Sequence, residues 1–184
     1  MAVPEIADAG SVWRGLAHRA GRTVTLTDIV PADWFDAHDD VRLTRTVATF
    51  TEVVAWPWLR YLGAGPLFHP DAVHGSFGLD THLTFAVAPE LTAGEPFWVE
   101  SQLLGFDAKR LHFMHLLRRA ADASVIATFE MFSICVHKGR RKVVPMPDAV
   151  IADVEEVWAR HRDLPRPEQV GAAIAPLPMA RSAA

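Results

Sequence analysis

One apolar stripe followed by four alternating runs sets most of what this chain can fold into. Between Val41 and Leu62 the residues Leu43, Val47, Phe50, Val54, Trp58 and Tyr61 recur at steps of three and four. That spacing makes one face of a helix. Ala48, Thr51 and Ala55 lie behind it, small enough for close packing. Four strand-like runs come next. From Phe77 to Val87, Phe77, Leu79, Leu83, Phe85 and Val87 alternate with Gly78, Asp80, His82 and Thr84. Phe97 to Phe106 is the second run and Arg110 to Arg118 the third. Val125 to Val136 is apolar on both faces, as a central strand should be. Short turns between consecutive runs imply antiparallel pairing. The expected class is α+β, an antiparallel sheet wrapped around one long central helix.

The flanks complete that outline. Residues 1–22 read as a loose or partly helical lead-in, and Thr23 to Val30 as a first strand. Asp148 to His161 has helical apolar spacing. After Leu164, four prolines and many alanines predict an extended, partly disordered tail. The domain is therefore expected over 23–162, with a tail over 163–184. Gly63 is placed to end the central helix, Asp39 or Asp40 to cap its start, and Pro57 to kink its last turns.

Composition narrows the function classes. Half of the 184 residues are apolar, 22% are charged, and the net charge is −4. That balance gives no nucleic-acid footprint. The single Cys135 lies in an apolar run, so a buried thiol in a reducing compartment is expected. Residues 1–22 lack the apolar core of a secretory signal, and no apolar segment is long enough to span a bilayer. The expected location is the cytoplasm, without membrane attachment.

The chemistry concentrates at Trp34-Phe35-Asp36-Ala37-His38-Asp39-Asp40, just before the helix. Helix N-termini offer unpaired N–H groups and partial positive charge. A carboxylate beside them can attack a carbonyl or activate water while the N–H groups hold the oxyanion. Asp36 is the candidate, with capping as the alternative role. Arg42 can pair with Asp39 and Asp40. Asp36, His38 and Asp40 also have the donor types of a divalent metal site, but the spacing is too short for a convincing one, and no metal is expected.

Two longer stretches carry a resemblance: Gly78-Leu79-Asp80-Thr81-His82-Leu83-Thr84-Phe85, and Gln102 through His115. Together with the element order they resemble the hot-dog-fold acyl-CoA thioesterases of the 4-hydroxybenzoyl-CoA thioesterase type. The likeness points to the thioesterase-like subfamily that includes betainyl-CoA thioesterases, and it covers about residues 23–160. In that family the junction usually reads Asp-Tyr-Asn-Gly-His-Met-Asn, with the Asp catalytic and two tyrosines soon after. Asp36 keeps the aspartate's place, and Phe50 and Glu52 match. His38 stands for the Asn, Asp39 for the Gly, Asp40 for the His and Arg42 for the second Asn. Arg45 and Thr46 stand where the tyrosines are usual.

The resemblance implies a hot-dog fold and hydrolysis of a short or polar acyl-CoA to the carboxylate and free coenzyme A. Asp36 is the expected base or nucleophile, with His38, Arg42, Thr81, His82, Lys109 and Arg110 as substrate-binding candidates. No cofactor is implied beyond the coenzyme A of the substrate. A homodimer or tetramer is expected, because the family builds its sites at a dimer interface. Lys109-Arg110 and Arg140-Arg141-Lys142 are candidates for the coenzyme A phosphates. Trp34, Trp56 and Trp58 are a candidate cage for a quaternary ammonium acyl group. Glu52 is expected to tie helix to sheet. His112 and His115 are expected on opposite strand faces. A non-catalytic acyl-CoA-binding protein is the alternative function, and a hot-dog lyase or dehydratase a more distant one.

Overall fold

The computed structural model describes residues 16–38, 40–68, 71–85, 91–175 and 177. Strands β1 (His18–Arg19) and β2 (Arg22–Ile29) form a hairpin, so the end of the lead-in is strand where a loose or helical segment was expected. A 3₁₀ turn, Ala32–Trp34, leads to the central helix. That helix comprises α1 (Leu43–Ala48), a wide π turn (Thr49–Val54) and α2 (Ala55–Tyr61). Then come β3 (His74–Phe85), β4 (Pro96–Phe106), β5 (Arg110–Arg119), β6 (Val125–His137), β7 (Lys142–Val143) and α3 (Asp148–His161). All pairings are antiparallel, in the order β1-β2-β4-β5-β6-β3, with β7 on β6. This is the hot-dog arrangement, and the four long strands and α3 fall within a few residues of their sequence-derived bounds.

Alternation sorts the sheet into two faces. The inner face carries Phe97, Val99, Leu103, Phe113, Leu117, Phe129 and Met131, packed on Phe50, Val54, Trp58 and Leu62 of the helix side. Phe50 stacks on Phe129 at 5.1 Å between ring centroids. The helix does not follow one simple stripe. Ala55 N–H reaches back five residues to Phe50 O, so the π turn shifts the helical phase. Leu43 is consequently exposed, as are Val53 and Trp56. The wide turn lies just ahead of Pro57, which supplies no N–H to the preceding turn. Gly63, at φ +74°, ends the helix as expected. Its N–H bonds Arg60 O and the Ala64 N–H bonds Leu59 O, the paired closure that a left-handed residue allows.

The tail departs most from expectation. Its described residues, 163–175 and 177, turn back over the outer face. Val170 packs with Leu104, Met114 and Leu116, while Ile174 and Leu177 pack with Phe132 and Ile134. Arg166 Nη2 donates to Leu104 O at 3.0 Å, and Gly171 N–H to Glu130 Oε1 at 3.2 Å. Beneath it, His112 and Glu130 meet at 2.7 Å, both buried. The outer faces of β5 and β6 are apolar because they have this cover.

Two buried histidines lock the layers. His115 Nδ1 lies 2.6 Å from Ser101 Oγ, which lies 2.9 Å from Thr25 Oγ1. Burial pushes His115 down to about 3. His161 Nδ1 accepts the Leu103 N–H at 3.0 Å, where a bulge interrupts the β4–β5 register. Burial first, then the charges of His18, Arg160 and Arg22, push His161 down to about 4. Both rings are neutral when folded and bind protons below about pH 6.5 when unfolded. Stability is therefore full above that pH and falls as acid is added, each ring contributing up to about 1.4 kcal/mol per pH unit. Denaturant midpoints between pH 7.5 and 4.5 should show this slope. His161→Gln, which keeps an acceptor for Leu103, should remove its share.

Candidate active site

The strand-to-helix junction is held mainly by backbone. Trp34 is buried with its ring 5.6 Å from that of Phe97, fixing the chain where it leaves β2. Phe35 and Val41 form an isolated bridge. The Asp36 N–H donates to Asp40 O at 2.9 Å, and the Arg42 N–H to Trp34 O at 2.6 Å. Residues 36–40 thus make a pinched loop. Asp36 Oδ1 accepts the N–H of His38 at 2.7 Å and of Asp40 at 3.1 Å. Oδ2 has no hydrogen-bond partner among the described residues. The carboxylate is half-buried and held in one orientation with one oxygen uncommitted.

The helix start differs from expectation. The capping position is Arg42, in extended conformation and without a side-chain cap. Asp40 does not fill it, because the Phe35–Val41 bridge places Asp40 in the loop before the helix; Asp39 lies outside the described residues. The Leu43 and Thr44 N–H groups have no acceptor among the described residues. These are the donors available for a developing oxyanion. Arg42 is exposed and makes no ion pair among the described residues, so the expected pairing with Asp40 is not formed. Arg45 instead meets Asp33 at 3.1 Å on the surface.

The remaining candidates scatter. The His38 side chain is exposed, and its contribution to Asp36 is its backbone N–H. Thr81 lies on the helix side of β3 with Leu83 and Phe85. His82 faces the other way, opposite Glu130, and sits 3.5 Å from Thr84. Strand alternation therefore keeps Thr81 and His82 from lining one surface. Lys109 and Arg110 lie at the far end of the sheet. Trp34 and Asp36 stand by the Phe97 end of β4, whereas Lys109 follows the Phe106 end. Eleven strand residues, roughly 35 Å, separate the two ends. Arg110 is also engaged with Asp107 through Nε at 2.6 Å. Burial opposes the Asp107 charge, but Arg110 and the Lys109 and Arg110 N–H groups hold its carboxyl below the ordinary range.

Three further expectations are corrected. The tryptophans do not converge: Trp58 packs among Tyr61, Phe113, His115 and His161, Trp34 on Phe97, and Trp56 lies on the exposed side. Glu52 is exposed on the π turn and makes no bond to the sheet among the described residues. Among the described residues no group of three His, Cys, Asp or Glu is arranged to hold a metal ion. His112 and His115 do lie on opposite faces.

The family description "Thioesterase-like superfamily" matches residues 30–154, which takes in the Asp36 loop, the central helix and strands β3 to β6. The chain belongs to this family. It is 30% identical over 148 residues to a betainyl-CoA thioesterase of Pseudomonas aeruginosa, covering 80% of this chain and 91% of the relative. It is 32% identical over 101 residues to an L-carnitine dehydrogenase/betainyl-CoA thioesterase of Rhizobium meliloti, covering 55% of this chain and 20% of that longer protein. Among solved structures, a hypothetical protein of Staphylococcus aureus in complex with CoA superposes with a TM-score of 0.73 at 20% identity. That match covers 86% of this chain and 99% of the other.

The loop geometry separates the structural from the chemical duty of Asp36. Asp36→Asn keeps an oxygen for the His38 and Asp40 N–H groups and should unfold close to wild type. Asp36→Ala leaves both without their acceptor and should lose about 1–2 kcal/mol in denaturant titrations.

Proposed function

We propose that this protein is an acyl-CoA thioesterase acting on a short or polar acyl group, with Asp36 as its catalytic carboxylate. The observation that carries the reading is the position of Asp36 within the matched family segment. It is half-buried, with Oδ2 uncommitted among the described residues, just ahead of a helix whose Leu43 and Thr44 N–H groups have no acceptor among them. The thioester carbonyl would sit between Oδ2 and the Leu43 and Thr44 N–H groups. Asp36 either attacks the carbonyl carbon or takes the proton of a water that does so. The C–S bond breaks and the thiolate leaves as free coenzyme A once protonated. In the base route water has supplied the second oxygen of the carboxylate. In the nucleophile route a water then hydrolyses the mixed anhydride on Asp36, so that in both the acyl group ends as its carboxylate and Asp36 is regenerated. The betainyl-CoA activity of the Pseudomonas aeruginosa relative suggests a polar acyl group. Trp34, Trp56 and Trp58 do not provide its recognition here.

The working unit in this reading is a dimer in the cytoplasm. Strand β3 pairs only with β6 among the described strands, so its outer edge presents unpaired N–H and C=O groups along twelve residues. Phe77 and Leu79 on it are 55% and 63% exposed. A long apolar edge of this kind demands cover, and a second copy supplies it by extending the sheet. A buried, free Cys135, its thiol pushed up by burial, suits a reducing compartment.

Thiol release from a panel of acyl-CoAs tests the chemistry. Wild type should turn over at least one, and Asp36→Asn should be slower by about a hundredfold or more. Equal rates would leave Asp36 a loop-closing residue. Binding without turnover would favour the non-catalytic acyl-CoA-binding reading. Sedimentation should give a dimer at low micromolar concentration, and Leu79→Lys on the exposed edge should shift it toward monomer.

A further inference from the structure

The chain after α3 crosses the outer face of the sheet from β2 to β6 in two parts that are held differently. The stem is fixed by polar contacts. Leu164 fills the notch left by Gly21, where a side chain would collide with it. Arg22 Nη2 donates to Pro165 O at 2.7 Å, and Arg166 Nη2 to Leu104 O at 3.0 Å. Pro165 and Pro167 stiffen the backbone on either side of Arg166. Beyond the stem, the described residues are held by the apolar side chains of Val170, Ile174 and Leu177 and by one backbone donor. That donor is the Gly171 N–H, which meets both oxygens of the Glu130 carboxylate, at 3.2 and 3.3 Å. Gly171 adopts φ +82°, the left-handed conformation that glycine takes at least cost.

Glu130 is itself shared with a histidine. Its Oε1 lies 2.7 Å from His112 Nε2, and the two side chains are 1% and 0% exposed. Facing a carboxylate, Nε2 carries the ring's proton. His112 Nδ1 is then a buried lone pair with no partner among the described residues. A second ring proton would have to sit there, where nothing accepts it. The charges around the ring are mixed. Glu130 on β6 favours the cation, and Arg166 on the stem opposes it. Arg110 lies two residues away on the same strand face, over the Phe132 ring, and is held by Asp107. On β3, His82 stands opposite Glu130 and Asp80 opposite Phe132, while β4 sets the uncharged Gly105 beside His112. Burial, the largest influence, outweighs Glu130 and holds the His112 ring below its ordinary value. Lifting the segment above it admits water to Nδ1, so opening favours protonation and protonation must favour opening. We propose that residues 167–177 are a releasable strap, latched through Gly171 onto the His112–Glu130 pair, and that protonation of His112 opens it to bare the outer face of β5 and β6. The stem at Arg22 and Leu104 stays in place as the hinge. This device stands apart from the thioesterase reading and does not depend on it.

Hydrogen exchange of the full chain between pH 7.5 and 5, read by mass spectrometry and corrected for intrinsic amide rates, tests the proposal. A ring whose closed-state value is lowered keeps the strap shut above about pH 6.5 and releases it as acid is added. Amides of the strap should therefore lose protection by up to about tenfold per pH unit below about pH 6.5, one proton being bound on opening. Amides of β5 and α3 should lose less, which separates strap opening from unfolding of the whole domain. His112→Gln keeps an N–H for Glu130 and cannot titrate, so its strap exchange should be independent of pH. Gly171→Ala leaves the buried pair untouched and strains the latch, so strap exchange should rise about fivefold at every pH with its slope retained. Wild-type strap protection that is flat over this range, or that falls only in step with α3, overturns the proposal. So does a slope that persists in His112→Gln, or strap exchange unaltered in Gly171→Ala.

Discussion

Everything in this molecule is registered by the aromatic contact between the central helix and the inner face of the sheet. Phe50 stacks on Phe129 and lies over His115, while Trp58 sets its edge against His115 and its face against His161. Sliding the helix along the sheet would expose His115, whose ring fits there only because Ser101 and Thr25 satisfy one of its nitrogens. The helix therefore has one axial position. Its first turn falls at the Phe97 end of the sheet, and Trp34 closes the same end from the strand side. The location of Asp36 is thus a consequence of packing some distance away from it.

The sequence disclosed what depends on periodicity and hid what depends on a change of phase. Strand β3 was legible because alternation persists along it, β6 because its apolar run covers both faces as a central strand's does, and α3 because its buried valines, Val150, Val154 and Val157, keep helical steps. The π turn has no local signature. It rotates Leu43 and Glu52 outward, and a stripe drawn at constant pitch mislabels both. The acidic run before the helix looks like a cap, but Asp36 closes a loop and Arg42 occupies the capping position. Proline and alanine content predicts an extended tail, whereas its described part packs on the sheet. The signal lay in Val170, Ile174 and Leu177, three apolar residues at steps of four and three, and in an outer strand face too apolar to be left uncovered.

Candidate residues were harder to assemble than elements, since residue type says nothing about which end of a strand a side chain occupies. Lys109 and Arg110 have the right charge for a phosphate, yet the sheet carries them away from Asp36 of their own protomer. Thr81 and His82 are adjacent in sequence and therefore opposite in space. Both facts follow from pairing direction and parity alone. They explain why a single protomer of this fold carries Asp36 at one end of the sheet and Lys109 and Arg110 at the other.

The departures at the junction bear on charge more than on placement. Asp36 Oδ1 is held by the backbone N–H groups of His38 and Asp40, and the loop is closed by backbone pairs at Asp36–Asp40 and Trp34–Arg42. None of these bonds uses the side chain of residue 38, 40 or 42. Replacing the family's Asn, His and second Asn by His38, Asp40 and Arg42 therefore leaves the carboxylate's orientation intact. What changes is the surface in front of it: an acid and an arginine, both exposed, now border the N–H groups of Leu43 and Thr44. Exposed charges act weakly through water, whereas the N–H groups at the helix start act at contact distance. The backbone that orients Asp36 and the N–H groups of Leu43 and Thr44 is thus independent of the side chains at positions 38, 40 and 42, which lie on the exposed surface beside it.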